Sequence, residues 1–197
     1  NLNLNRIQKE NLECAIACAL AMKISPINII KTLHKLHSAA GRFQEIIYKK
    51  KSSKIIIDYA HTPDAIENLL KSYSNKIFKP SLVFGCGGDR DKAKRKKMAI
   101  IANKFANRVY LTDDNPRNEI SSKIRSEIKK GIKNLKFKEF SDRKKAINEA
   151  VRDLNTGDIL LVAGKGHEKI QDYGNRKIFF SDKKVILKSI KYKNKFL

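Results

Sequence analysis

The residues best suited to chemistry lie in four short polar loops, each of which follows an apolar run. One loop, residues 112–117, comes after the run at 109–111 and packs two acids, an amide, a proline and an arginine into one turn. Polar side chains that follow a strand lie beyond the sheet edge, where doubly wound α/β proteins hold their ligands. The pattern therefore predicts a binding site assembled from several loops. The other three loops occupy residues 58–61, 85–90 and 163–168.

Stretches with helical spacing separate these loops, which indicates that strands and helices alternate. Apolar residues recur at helical intervals over residues 63–73 and 92–106. Such alternation is typical of an α/β fold with a mostly parallel sheet and flanking helices, and right-handed crossovers would bring the four loops to one sheet edge. A hairpin-like stretch and a closing helix are expected at the end. Strands are predicted at residues 43–48, 54–58, 81–85, 108–112, 136–140 and 158–163.

The first forty residues have a different, wholly helical character. Helices are predicted at about residues 11–22 and 27–36, because Ser25 and Pro26 interrupt the pattern between them. Two helices cannot enclose each other, and the first is apolar nearly all round. We therefore expect residues 1–41 to be the end of one domain and residues 42–197 to be a second domain.

Cysteine usage gives no indication of disulfides or of a metal site. Cys14 and Cys18 lie four residues apart on the first predicted helix, and we expect them to be buried there as small hydrophobic residues. A zinc site needs a closer and more recognisable ligand spacing than the chain shows. No metal ligand is assigned.

The chain is strongly basic, with 43 Lys and Arg against 20 Asp and Glu and a formal net charge of +23. Such a charge favours nucleic acid or an anionic membrane as a partner. The excess is mostly lysine, however, and it is spread over every segment together with isoleucine and asparagine, whose codons are also rich in A and T. No aromatic-basic motif of a nucleic-acid-binding module is present. We expect neither nucleic acid nor membrane as a partner.

Nothing in the hydropathy pattern predicts a membrane span or a secretion signal. No run approaches the roughly 20 apolar residues that cross a bilayer. The first five residues lack the basic and then apolar order of a signal peptide. We expect a cytoplasmic protein, and a closing helix capped by Ser181 or Asp182 is the expected structure of the basic C-terminal stretch.

The glycine-rich loop at residues 85–90 precedes a predicted helix, where backbone amides can approach an anion. It is not a Walker loop, because no Gly-Lys-Ser/Thr sequence occurs in the chain, and it lacks the third glycine of the dinucleotide fingerprint. A tight turn would need the same glycines, so this loop alone leaves both possibilities open.

The charged side chains of the loops match a ligand that carries both charges. Arg90 and Arg117 each offer a planar fork that binds a carboxylate, although ion pairs with neighbouring acids would use the same residues. Glu168 and Asp114 could accept from an ammonium group. An amino acid has this pattern. His61 and His167 have no nucleophile beside them, so we interpret them as binding or structural residues.

With these motifs in order, the chain resembles the C-terminal part of the Mur ligases, and among them the diaminopimelate-adding members. Five blocks occur in family order and at family-like spacing. They are Gly41-Arg42, Asp58-Tyr59-Ala60-His61-Thr62-Pro63-Asp64, Gly85-Cys86-Gly87-Gly88-Asp89-Arg90-Asp91-Lys92, Thr112-Asp113-Asp114-Asn115-Pro116-Arg117 and Ala163-Gly164-Lys165-Gly166-His167-Glu168.

The resemblance implies a Rossmann-like domain that receives the incoming amino acid, preceded by a short helical remnant of a central ATPase domain. It implies an ATP-dependent amide-bond ligase of peptidoglycan synthesis, which adds meso-diaminopimelate to UDP-MurNAc-L-Ala-D-Glu through an acyl phosphate. ATP and Mg²⁺ would serve the complete enzyme. The phosphate loop and the Mg²⁺ ligands of the family are not on this chain, which alone is expected to be inactive.

The resemblance also implies roles for individual residues. Those expected to bind meso-diaminopimelate are Arg90, Asp114, Asn115, Pro116, Arg117, Gly164 and Glu168. Those expected to face the nucleotide are Asn11, Arg42, Asp58 and His61. No catalytic residue is assigned on this chain. Two other classes stay open: a non-catalytic amino-acid-binding domain or decayed fragment, and an anion-binding module whose affinity would fall steeply with salt.

Overall fold

The computed structural model describes residues 4, 6–36, 38–75, 77–133 and 136–193, and these divide into two compact units, Asn1–Ser38 and Ala39–Leu197. The first unit contains α1 (Arg6–Ala21) and α2 (Pro26–Leu33), so the two predicted helices are confirmed. The break between them follows from Ser25, whose hydroxyl accepts from the amide of Asn28, and from Pro26 at the helix start.

The prediction that Cys14 and Cys18 lie buried on α1 is wrong. None of its residues is buried, and Cys14 and Cys18 are both exposed. A helix that is apolar nearly all round needs cover on several sides, and within its own unit α1 has only α2 beside it. The amino-acid composition correctly indicates that α1 is apolar, but it contains no information about which other segments cover the helix.

The second unit is built on a six-stranded sheet with strand order β1-β2-β6-β3-β4-β5. The first two strands are antiparallel, and every other pairing in this sheet is parallel, which confirms the predicted mostly parallel α/β fold. The sheet strands are β1 (Gln44–Tyr48), β2 (Ser53–Asp58), β3 (Ser81–Phe84), β4 (Arg108–Thr112), β5 (Lys136–Phe140) and β6 (Ile159–Ala163).

Helices cover both faces of this sheet because its central strands are apolar on both sides. On one face Ile56, Phe84 and Leu111 pack with α3 (Pro63–Ser72), α4 (Ala93–Phe105) and α5 (Ser121–Lys129). On the other, Ile57 and Val83 pack with α6 (Arg143–Arg152) and α7 (Asp182–Lys193). A short hairpin, β7 (Ile170–Asp172) and β8 (Lys177–Phe179), precedes α7.

One ion pair ties α6 to α7 in the core. Arg143 and Asp182 are fully enclosed, and two guanidinium nitrogens donate to the two carboxylate oxygens at 2.8 Å each. The same guanidinium donates to the carbonyl of Ala163, at the end of β6, over 2.9 Å. The α7 start is capped by Ser181, whose hydroxyl accepts from the Lys184 amide. Residues 194–197 of the predicted closing helix lie outside the described residues.

The parallel strands bring the four polar loops together. Asp58 at the end of β2 is in register with Ala163 at the end of β6, and Phe84 of β3 is in register with Leu111 of β4. All four strands point the same way, so their carboxyl ends meet at one edge. This edge carries the candidate site.

Candidate functional site

A cleft of about 410 Å³ lies at the carboxyl edge of the sheet. Residues from all four polar loops line it, as the crossover argument predicts. The start of α4 closes one side with Lys94 and Lys97. Of the residues expected to bind a ligand or a nucleotide, the cleft brings together Arg90, Asp114, Asn115, Arg117, Gly164, Glu168 and His61.

The loop after β4 is held in place chiefly through Asn115, which is buried. Its side-chain oxygen accepts from the amide of Asp172 at 2.9 Å and from the ammonium of Lys165 at 2.8 Å. Its main-chain oxygen accepts from the amide of Gly88 at 2.9 Å. Asn115 thus joins three loops, and Pro116 beside it is buried and does not line the cleft.

Arg117 lies across the glycine-rich loop. Its backbone has φ +52°, and one guanidinium nitrogen donates to the carbonyl of Gly88 at 2.7 Å. A Cβ at Gly88 would overlap the carbonyl oxygen of Pro116, so the two loops approach this closely only with glycine there. No carboxylate of the described residues lies within 4.0 Å of the Arg117 guanidinium, which leaves it available for a ligand's carboxylate.

Arg90 is also free of carboxylate partners among the described residues. It is exposed, and its guanidinium donates to the carbonyl of its neighbour Asp89 at 2.9 Å. The ion pairs that the sequence left open for Arg90 and Arg117, with Asp89, Asp91 or Asp114, are therefore not formed. Two arginine forks line the cleft with unused donors.

Glu168 contributes a negative charge to the cleft. One carboxylate oxygen accepts from Lys165 at 2.9 Å and from the amide nitrogen of Asn115 at 3.0 Å, and the side chain is 30% exposed. Burial acts to raise the pKa of Glu168, but these two hydrogen bonds outweigh it and the pKa lies below its usual value. Glu168 is therefore an anion at neutral pH.

Asp114 faces the same cleft from deeper in the protein. Its carboxylate is 4.0 Å from the Lys165 ammonium, and its side chain is 9% exposed. Burial raises its pKa above the usual value, against the opposing charges of Arg143 and Lys165. Gly164, with φ +110°, lies directly against this carboxylate, and a side chain there would collide with it.

The residues expected to face a nucleotide are spread more widely. Asp58 accepts from the amides of Phe43 and Ala60 at 2.8 Å each, and burial raises its pKa against these two hydrogen bonds. These hydrogen bonds fix the backbone just before β1. Asp58 is not among the residues that line the cleft. Arg42 stacks over the Tyr59 ring at 4.8 Å. Asn11 is exposed on α1 and belongs to the first unit.

His61 lines the cleft, and its ring contacts Tyr59 of the same loop. Its ring Nδ1 is 2.8 Å from the carbonyl oxygen of Tyr59, an acceptor that favours a proton on this nitrogen. The ring is exposed and packs edge-on against Tyr59, with 4.7 Å between ring centroids. Its neighbour in the cleft, Cys86, is a neutral thiol, because burial raises its pKa to about 12.

The sequence did not reveal the residues that support the cleft by hydrogen-bonding to the residues that line it. Lys165 stands in the motif at residues 163–168, but a lysine between two glycines at a strand end does not indicate which groups its ammonium contacts. Gln171 of β7 donates to the main-chain carbonyls of Asp113 and Asp114, at 3.3 and 2.7 Å. A three-residue strand gives no periodicity that could have indicated this contact.

Two further features bear on the choice of site. Within the described residues, no group of three or more His, Cys, Asp or Glu side chains is arranged to hold a metal ion, and no helix is long and apolar enough to span a bilayer. A larger groove of about 840 Å³ lies between α6 and α7. It is lined by none of the residues that are expected to bind a ligand or to face a nucleotide.

Comparison with known proteins agrees with this architecture. Residues 41–166 match the family described as Mur ligase, glutamate ligase domain. A UDP-N-acetylmuramoyl-L-alanyl-D-glutamate–2,6-diaminopimelate ligase from Rickettsia rickettsii is 41% identical over 191 residues, which are 95% of this chain and 39% of that protein. The ligase of the same name from Chlorobium phaeobacteroides is 41% identical over 91% of this chain and 35% of its own length.

Solved structures give the same result. A structure of a ligase with that name matches with a TM-score of 0.73 and 36% identity, over 97% of this chain and 39% of that one. The alanine-adding ligase of Thermotoga maritima, at 17% identity and a TM-score of 0.62 over 98% of this chain and 39% of its own, shares the fold. The chain thus spans about two fifths of the length of the proteins it matches.

Proposed function

The chain belongs to the Mur ligase family, and from this membership we propose that it is the amino-acid-binding part of a ligase that adds meso-diaminopimelate to UDP-MurNAc-L-Ala-D-Glu. Relatives about 41% identical carry the name of that ligase. The observation that carries the proposal is the charge pattern of the cleft, in which Arg90 and Arg117 have no carboxylate partner among the described residues and Glu168 is held as an anion.

The ligand chemistry follows from this pattern. Meso-diaminopimelate has an amino acid group at each end, so one end can react while the other is bound. In the proposal Arg117 and Arg90 bind the carboxylate of the distal end, and Glu168 accepts from its ammonium group. Asn115 and Gly164 shape the cleft around that end, and Asp114 and Pro116 support the loop.

In the proposed reaction the chain contributes orientation. The free amine of the bound amino acid attacks an acyl phosphate on the UDP-linked dipeptide, phosphate leaves, and an amide bond forms. Holding the distal end rigidly places the amine at the phosphorylated carboxyl group and lowers the entropic cost of the reaction. No residue of this chain is required to form a covalent bond.

ATP and Mg²⁺ belong to the complete ligase in this proposal. The chain has no Gly-Lys-Ser/Thr phosphate loop and its described residues form no metal-ligand cluster, so it does not by itself fit the ATP phosphates or Mg²⁺. Residues 1–41 are proposed to be the end of the ATPase domain and residues 42–197 the amino-acid-binding domain. Asn11, Arg42, Asp58 and His61 are proposed to face the nucleotide, and the cytoplasm is the proposed location.

The test is calorimetric titration of the 197-residue chain with meso-diaminopimelate. Arg117→Ala removes a charged two-donor contact worth about 1.5 to 3 kcal/mol, so its Kd should rise about 10- to 150-fold. Arg176→Ala is the matched control, because that arginine is exposed and stacks on Tyr173 away from the cleft. Its Kd should equal that of the wild type. Equal losses in the two variants would contradict the proposal.

A further inference from the structure

Lys165 is a lysine whose ammonium group is completely enclosed. It follows β6 in the loop at residues 163–168, and none of its side chain is exposed. Its Nζ atom donates to Asn115 Oδ1 at 2.8 Å and to Glu168 Oε2 at 2.9 Å, and lies 4.0 Å from Asp114 Oδ1. Burying an ammonium is costly unless it is paired and hydrogen-bonded, and here both conditions are met.

We propose that Lys165 is the positioning residue of the cleft: its ammonium orients the side chains of Glu168 and Asn115 so that they present a fixed anion to the ligand's ammonium group. The inference rests on the proposed function and adds to it a residue that makes no contact with the ligand. Lys165 acts through its neighbours and is not a catalytic residue.

The hydrogen bonds show how one ammonium orients two side chains. Asn115 Oδ1 accepts from both Lys165 and the amide of Asp172, so the oxygen side of its amide is fixed. The amide nitrogen then faces Glu168 and donates to it at 3.0 Å. Without Lys165 the amide loses one of these constraints, and Glu168 loses one of its two donors at Oε2.

The balance of charges around Asp114 and Glu168 supports the same positioning role for Lys165. Two carboxylates, Asp114 and Glu168, share the deep end of the cleft, and Lys165 is the cation that contacts both. The other cation facing them is Arg143 of α6, which forms a two-bond pair with Asp182 of α7. Its remaining nitrogen, Nη1, has no hydrogen-bond partner among the described residues.

Removing the ammonium should therefore change the ionisation of Glu168. The groups that face this carboxylate are Lys165 in its own loop, Tyr59 after β2, Asn115 and Asp114 after β4, and Arg143 of α6. An opposite charge within about 4 to 6 Å lowers a carboxyl pKa by about 1 to 3 pH units. In Lys165→Met that stabilisation is lost while the repulsion from Asp114 stays, so the pKa of Glu168 rises by a similar amount.

The experiment compares Lys165→Met with Lys169→Met, a matched change at an exposed lysine of the neighbouring turn. The carboxyl carbon of Glu168, assigned with Glu168→Gln, is titrated by ¹³C NMR in the full chain without ligand. The affinity for meso-diaminopimelate is then measured between pH 5.5 and 8. We expect Glu168 to titrate about 1 to 3 pH units higher in Lys165→Met. Its affinity should fall further as the pH is lowered, whereas the wild type and Lys169→Met should have nearly constant affinity.

Two results would overturn the role of Lys165: an unchanged titration of Glu168 in Lys165→Met, or a loss of affinity that is the same at every pH. A wild-type chain that does not bind meso-diaminopimelate, with Glu168 still titrating higher in Lys165→Met, would instead contradict the proposed function. If Lys165→Met does not fold, the double variant Lys165→Met/Glu168→Gln tests whether the missing ion pair is the cause. A double variant that folds supports pairing of Lys165 with Glu168, and one that is equally defective contradicts it.

Discussion

Arg95 and Lys165 are both fully enclosed cations, and each one connects loops that form the cleft. The Arg95 guanidinium donates to the carboxylate of Glu119 and to the carbonyl of Gly87. Glu119 in turn accepts from the backbone amide of Asp89 at 2.7 Å. The glycine-rich loop at residues 85–90 is thus fixed by an ion pair between the buried Arg95 and the partly exposed Glu119, which the sequence showed only as scattered charges.

The Arg95–Glu119 pair should make stability depend on pH. Hydrogen bonding to Arg95 lowers the pKa of Glu119 from 4.5 to about 2. A carboxyl pKa that is lower in the folded state contributes stability above pH 4.5, and this contribution disappears as the pH falls toward 2. Glu119→Gln should reduce the free energy of unfolding at pH 7 by about 1 to 3 kcal/mol, because Arg95 keeps Glu127 but loses a charged partner.

Urea unfolding from pH 7 to pH 3 measures this effect. The difference between wild type and Glu119→Gln should shrink as the pH is lowered. Glu67→Gln is the control, since the Glu67–Lys71 pair lies at the surface of α3, where solvent screens the interaction, and its difference from the wild type should be small at every pH. A difference for Glu119→Gln that stays constant down to pH 3 would show that the pair contributes no charge-dependent stability.

The β7–β8 hairpin supports the loop that carries Arg117. The Arg117 amide donates to the carbonyl of Asp172 at 3.1 Å, and the Asp172 amide donates to the side chain of Asn115. Gln171, which is 4% exposed, donates to two successive carbonyls of the loop. The loop is therefore supported by the sheet on one side and by the hairpin on the other.

Gln171→Ala tests the hairpin's contribution. The substitution leaves the carbonyls of Asp113 and Asp114 without this donor in a buried place, so the free energy of unfolding should fall by about 1 to 3 kcal/mol. The affinity for meso-diaminopimelate should fall as well, because the loop of Asn115 and Arg117 loses a support. Lys177→Ala, on the exposed strand β8, should change neither quantity. Denaturant unfolding and calorimetry on both variants give the answer, and unchanged affinity in Gln171→Ala would contradict the supporting role.

Local sequence patterns predicted the fold of the second unit well, because alternating strands and helices leave a periodic signal in the hydropathy of the chain. Strand β5 (Lys136–Phe140) lies where residues 136–140 were expected, and the loops after β2, β3, β4 and β6 meet as the crossovers require. The exposure of α1 could not be predicted, because hydropathy indicates that a helix needs cover and not whether cover is present.

The site was predictable only in part, for a related reason. Side chains that point into a cleft come from loops with recognisable composition, so Arg117 and Glu168 could be identified. Their supports, Lys165, Arg143 and Gln171, act through contacts between segments far apart in sequence, and no local pattern encodes these contacts. The net charge of +23 was equally uninformative about the cleft, for which we propose a specificity based on two arginines and one glutamate.

The chain spans about two fifths of the length of the Rickettsia rickettsii ligase, yet all the residues that line the cleft belong to its second unit. We propose that this cleft selects an amino acid with a distal carboxylate. Calorimetric titration of the chain with meso-diaminopimelate and with L-lysine tests this selection, since lysine has the distal ammonium but no distal carboxylate for Arg117. We predict binding of meso-diaminopimelate at least about tenfold tighter than that of L-lysine, a difference of about 1.4 kcal/mol. Equal affinity for the two ligands would contradict the account.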